Sequence, residues 1–142
     1  MVSNFNDAVK LLEKPDSIIT PNYDNVSESF ESKKFKYCYI KGITFEKYND
    51  SLVFRSIDLS KSGNWYLSYG KIKFDSETTM DEFAKSFPKS VDENILHGTD
   101  MDKYLSISVK TARRGSSINE QWVFMFEQSH NKLIQIDYWI DD

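Results

Sequence analysis

The chain has one cysteine, Cys38, and two histidines, His97 and His130. A single cysteine excludes an intramolecular disulfide and a thiolate metal site. No apolar run approaches the roughly 18–20 residues that a membrane-spanning helix requires, so membrane insertion is not expected. No basic segment followed by an apolar stretch, the mark of a secretory leader, stands at the N-terminus. As written, the sequence predicts a soluble cytoplasmic protein; a leader removed ahead of Met1 would instead make it periplasmic or envelope-associated. Excess positive charge is also absent, since the 142 residues carry a formal net charge of −4. Phosphate backbones need a basic face, so no nucleic-acid partner is expected. A chain of this length can bury roughly two thirds of its unfolded surface, enough to fold without disulfide or metal.

What is present is an aromatic content of 15% and a recurring phrase, Pro-x-Ser-(Ile/Val). Its copies are Pro15-Asp16-Ser17-Ile18 and Pro88-Lys89-Ser90-Val91, about half the chain apart. Each follows a short amphipathic helical pattern. Phe5, Ala8, Val9, Leu11 and Leu12 give a helix over 5–13 an apolar face, with Asn4 as its cap and Pro15 as its end. Thr79 and Glu82 have capping-box spacing, and Met80, Phe83, Ala84 and Phe87 form the apolar face of a second helix that Pro88 stops. Residues 20–34 read as a long polar loop or a frayed second helix, and 89–102 as an acidic, polar loop.

Strand patterns fill the rest. Phe35, Tyr37 and Tyr39 alternate with Lys36, Cys38 and Ile40; Gly42 interrupts, and Ile43 and Phe45 resume. Further strands are predicted over 52–59, over 65–74 with a break or bulge at Gly70, and over 104–111, 121–127 and 133–140. Short connections favour antiparallel pairing. The expectation is an α+β fold of one domain, 1–142, with two short helices packed on a mostly antiparallel sheet of about six strands. The internal halves, 1–75 and 76–142, suggest a tandem duplication.

A helix ending in Pro-x-Ser-(Ile/Val), followed by aromatic strands and repeated, resembles the fold of beta-lactamase inhibitor proteins and of small outer-membrane assembly lipoproteins. The resemblance covers most of the chain in element order, but in residues only 9–18 and 79–91. It implies a sheet surface that grips a partner protein. Lys14 and Phe87 stand where those families usually have a glycine before the proline.

Catalytic patterns are missing. No Gly-x-Ser-x-Gly elbow exists, and Cys38 sits mid-strand, where burial keeps a thiol inert. His97 has Asp92, Glu93, Asp100 and Asp102 nearby, but both histidines read as solvated loop residues. Counted from Asp92, an EF-hand loop would need glycine at His97 and glutamate at Lys103, so no calcium site is expected. Arg113-Arg114-Gly115-Ser116-Ser117 lacks the Gly-Lys-(Ser/Thr) of a phosphate-binding loop. It reads as an exposed loop suited to touch an acidic partner. No enzyme activity, cofactor or metal is expected.

The strand aromatics remain. Trp122, Phe124 and Phe126 fall on one face of their strand, Val123 and Met125 on the other. In the last strand Ile134, Ile136, Tyr138 and Ile140 are expected opposite Leu133, Asp137 and Trp139. Two short helices can cover only one face of a six-stranded sheet, which leaves Tyr37, Tyr39, Tyr66, Tyr104 and Trp139 as candidates for an open surface. Asp137, with Asp141 and Asp142, would give it an acidic rim suited to a basic partner. The expectation is a non-enzymatic protein-binding module, an inhibitor or toxin-neutralising immunity protein that occludes a partner's site. The alternatives are an envelope structural protein and a small-ligand carrier. The candidate contact residues are Tyr37, Tyr39, Tyr66, Tyr104, Arg113, Arg114, Asp137 and Trp139.

Overall fold

A computed structural model describes residues 2–4, 16–20, 35–61, 65–96, 103–112 and 119–141. The chain is α+β, mostly antiparallel, and divides into two compact units, Met1–Ser56 and Ile57–Asp142. The helix expected over 5–13 lies outside the described residues.

In the first unit the strands are β1 (Val2–Asn4), β2 (Ser17–Ile19), β3 (Lys36–Ile40), β4 (Ile43–Tyr48) and β5 (Ser51–Asp58), whose last two residues belong to the second unit. The order is β2-β3-β4-β5, with β1 also antiparallel to β5. Gly42 does more than interrupt a strand. Lys41 and Gly42 have φ of 47° and 83°, the positive pair that a tight two-residue hairpin needs, and the chain reverses there. The Asp16 carboxylate accepts the Lys41 amide at 2.9 Å and ties β2 to that turn. Register pairs Cys38 with Phe45 and Ile40 with Ile43. All four are buried, as are Leu52 and Phe54.

The second unit opens with a hairpin where one bulged strand was expected. Strands β6 (Leu67–Tyr69) and β7 (Ile72–Phe74) pair antiparallel about Gly70, whose φ is +59°. Glycine takes that backbone conformation without a Cβ clash, and so permits reversal rather than a kink. Helix α1 (Met80–Ser86) begins as its sequence predicts, the Glu82 amide donating to Thr79 Oγ1 at 3.3 Å. Pro88 then starts a second helix, α2 (Pro88–Leu96), in place of the expected loop. Proline lacks only an amide that a first helical turn leaves free, so it opens a helix as readily as it ends one. Phe87 serves both: its amide donates to the Phe83 carbonyl, and its own carbonyl accepts from Val91. The recurring phrase therefore takes two structures, with Ser17 and Ile18 in a strand and Ser90 and Val91 in a helix.

Strands β8 (Tyr104–Ala112), β9 (Asn119–Glu127) and β10 (Lys132–Asp141) form an antiparallel meander in the order β10-β9-β8. Ten strands are formed among the described residues, against about six expected. Both helices formed among the described residues lie in the second unit. Phe83 is fully buried, and its ring centroid lies 4.7 Å from that of Phe124, 5.1 Å from Phe87, 5.3 Å from Phe126 and 5.8 Å from Phe74. Such ring pairs contribute about 0.5–1.5 kcal/mol each beyond area burial.

All three tryptophans, Trp65, Trp122 and Trp139, belong to this unit, so their fluorescence reports its unfolding. Phe83→Ala is expected to lower stability by about 3–5 kcal/mol in guanidinium titrations followed by that fluorescence. A loss under about 1 kcal/mol would mean that the ring cluster does not hold the helix to the sheet.

Candidate functional site

Register assigns the two faces of the β8–β9–β10 meander. Leu105 lies opposite Phe126 and Ile107 opposite Phe124. On the other side of β9, Leu133 lies opposite Phe126 and Ile136 opposite Phe124. These residues share the face on which Phe83 packs. Between Leu133 and Gln135 the register shifts by one residue, so β10 bulges at Ile134. This corrects the expected alternation. Leu133 is buried with Ile136 and Tyr138, not opposite them. Beyond the bulge the assignment holds, and Asp137 and Trp139 face away from the core. Backbone bonds hold the irregularity: Leu133 N–H donates to the Thr78 carbonyl at 2.9 Å, and the Ile134 carbonyl accepts from Leu59 N–H at 2.8 Å.

The outward face thus has four rows. Tyr104 is opposite Glu127; Ser106 is level with Met125 and Gln135; Ser108 with Val123 and Asp137; Lys110 with Gln121 and Trp139. Trp139 is 51% exposed and Tyr104 38%, while Val123 and Met125 are half-buried between them. Gln121 Nε2 donates to Ser108 Oγ at 3.0 Å, and Gln135 Nε2 to Asp137 Oδ1 at 2.9 Å. Strand spacings put Tyr104 and Trp139 roughly 20 Å apart along the strands and about 10 Å across them. Two aromatic anchors therefore stand at opposite corners of a patch with an apolar centre and hydrogen-bonded polar neighbours.

The other expected contact residues are dispersed. Tyr66, 55% exposed, lies before β6 with the Lys73 ammonium 4.5 Å from its ring centroid. Arg113, Arg114, Asp142 and the side chain of Asp141 lie outside the described residues. Tyr37 and Tyr39 are half-buried in the first unit, their centroids 6.3 Å apart.

Those two tyrosines belong to a face that periodicity did not single out. Tyr37 is opposite Glu46 and Tyr39 opposite Thr44. Glu46 is buried although charged, because Arg55 Nη2 and the Tyr48 hydroxyl both reach its Oε2 at 2.8 Å. Phe35 closes the group, its ring 5.3 Å from Tyr37 and 5.6 Å from Tyr48. Burial, then the hydrogen bond to Glu46, raises the Tyr48 phenol well above its ordinary range. Burial, then the Glu46 charge, raises Tyr37. A carboxylate engaged by a guanidinium and a phenol is held in place; it braces the aromatic face rather than abstracting protons. The sequence signal was available: Glu46, Tyr48 and Arg55 occupy positions that, in adjoining strands, can share a face.

Cys38 is fully buried, and burial raises its thiol. His97 lies outside the described residues. His130 sits in an exposed turn, Nδ1 2.9 Å from Ser129 Oγ, whose hydroxyl donates to Glu127. Among the described residues no group of three or more His, Cys, Asp or Glu side chains is arranged to hold a metal. Nor is any described helix long and apolar enough to cross a membrane.

Stability should respond to the raised phenols with a definite sign. A folded state that holds those protons more tightly than the unfolded chain loses stability as pH climbs past the free phenol value, about 10. Unfolding followed by near-ultraviolet circular dichroism is expected to show this decline above pH 10, and Tyr48→Phe to lessen it. Arg55→Leu, which leaves Glu46 buried without its cation, is expected to cost about 3–5 kcal/mol at pH 7. An unchanged midpoint for Arg55→Leu would refute the bracing role. Compared with known proteins, the chain matches no family profile, no curated protein and no solved structure.

Proposed function

We propose that this protein is a non-enzymatic protein-binding module that acts by occlusion, as an inhibitor or a toxin-neutralising immunity protein does. The observation that carries the reading is Trp139, half exposed on a strand whose other face belongs to the core. An indole in that position has not completed its burial. Covering the remaining half, roughly 100 Å², would contribute on the order of 2–3 kcal/mol. That is the scale of an interface hot spot. Tyr104 supplies a second amphipathic anchor, and the half-buried Val123 and Met125 a centre from which a partner could exclude water. The described side chains of this face carry the cations Lys110 and Lys132 and the carboxylates Glu127 and Asp137; Lys132 is ion-paired with Glu77 at 2.7 Å, so the remaining balance is mildly acidic and favours a mildly basic partner.

A small-ligand carrier is less well supported. Phe74, Phe83, Phe87, Phe124 and Phe126 occupy the space between α1 and the sheet where a ligand would have to lodge. The resemblance to inhibitor and assembly-lipoprotein folds is consistent with partner gripping and adds no residue to the argument.

Affinity capture from the source organism, followed by calorimetry with the retained protein, tests the proposal. Trp139→Ala is expected to weaken binding about 30-fold or more, and Tyr104→Ala about ten-fold, while Tyr66→Ala leaves it unchanged. Retention of full affinity in the Trp139/Tyr104 double variant would sink the reading.

A further inference from the structure

Strand β8 ends the β10-β9-β8 order, and among the described residues it pairs with β9 alone. Nine consecutive residues, Tyr104 to Ala112, match β9 without a register shift. The edge is therefore long and regular, has no proline or bulge to blunt it, and turns every second residue's backbone amide and carbonyl outward. Helix α2 packs beside this strand. Between them is a cleft of about 390 Å³ lined by Lys89, Ser90, Glu93 and Asn94 of the helix and by Ser108 and Lys110 of the strand. A groove between a helix and a free strand edge has the shape that accepts an added strand: backbone pairing provides the attraction, and the helix walls the far side.

The lining selects the occupant. Asn94 Nδ2 is committed to the Ser90 carbonyl at 2.7 Å, and Ser108 Oγ to Gln121. The Lys89 and Lys110 ammonium groups have no ion-pair partner among the described residues, and Glu93 is the one carboxylate in the lining. With two ammonium groups against one carboxylate, this cleft is locally cationic in a chain of net charge −4. A second copy docking edge to edge would bring four ammonium groups to one junction, whereas an acidic segment would neutralise them.

We infer that the α2–β8 cleft binds an extended acidic peptide segment as an additional strand on β8. The cleft shares Ser108 and Lys110 with the edge of the outward face but includes neither Trp139 nor Tyr104, and the inference does not depend on what that face binds.

The test uses the full chain and dye-labelled octapeptide pools in fluorescence polarisation. One pool carries Asp or Glu at alternate positions with Val or Thr between them; a second carries Lys in place of the acids; a third is the acidic pool with every second backbone amide methylated. Saturable binding of the acidic pool is expected, at least ten-fold tighter than either control. Lys89→Glu combined with Lys110→Glu should weaken it at least ten-fold, and hydrogen exchange should slow at β8 amides when peptide is present. Trp139→Ala should leave this binding unchanged, which separates it from the proposal above. Absence of saturable binding, equal affinity for the methylated pool, or full affinity in the double-lysine variant would each overturn the inference. A dimer in sedimentation whose β8 amides are already protected without peptide would assign the edge to a second copy instead.

Discussion

Between Thr78 and Leu59, the last strand takes in one residue more than its partner β9 can match. Side chains alternate with period two along a strand, so a single extra residue exchanges every later side chain between faces. Without Ile134 in the bulge, a register that keeps Leu133 in the core would turn Gln135, Asp137 and Trp139 inward and expel Ile136 and Tyr138. Two backbone hydrogen bonds from outside the meander meet the chain at this point, one donated by Leu133 and one accepted by Ile134. The cost of an unpaired residue is offset there, and the phenylalanine layer and the outward face follow from the same local event.

The phenylalanine layer shows how little sequence is needed to join helix and sheet when shape and polarity agree. Phe83 is the hub, with Phe74 from the hairpin, Phe87 from the helix junction, and Phe124 and Phe126 from the central strand around it. None of these rings has a polar atom to satisfy, so close approach has no hydrogen-bonding penalty. The first unit holds its tyrosines differently. There the aromatic face encloses a charged carboxylate, tolerable only because a guanidinium and a phenol converge on one oxygen. The first arrangement depends on packing, the second on keeping a charge paired.

Period-two patterning made the strands from Tyr104 onward legible to within a residue or two, because Leu105, Ile107 and Val109, and Phe124 and Phe126, must all meet one core. Helix α1 was legible from Thr79 and Glu82, since a cap is local chemistry. The errors came where one residue type serves two structures. Pro88 ends one helix and begins another, and only the shared peptide at Phe87 distinguishes this from a stop. Gly42 and Gly70 each fit an interrupted strand or a reversal, and the choice depends on where the partner strand lies. The bulge at Ile134 leaves no mark in an apolar run, since Leu, Ile and Ile satisfy either register. Of the contact residues, Tyr104, Asp137 and Trp139 were legible as one face because β8 is regular throughout and β10 is regular beyond its bulge, whereas Tyr66 stands before a hairpin that the pattern concealed.

The helix junction has a consequence for how this chain can vary. Phe87 closes α1 with its amide and opens α2 with its carbonyl, so the two helices share one residue and no linker. Each helical position turns a side chain through about 100°. One residue inserted there would carry Val91 out of the core and swing Lys89 and Glu93 off the strand edge. The helix pair behaves as a fixed reading frame, in which spacing rather than composition is the quantity that has to be kept.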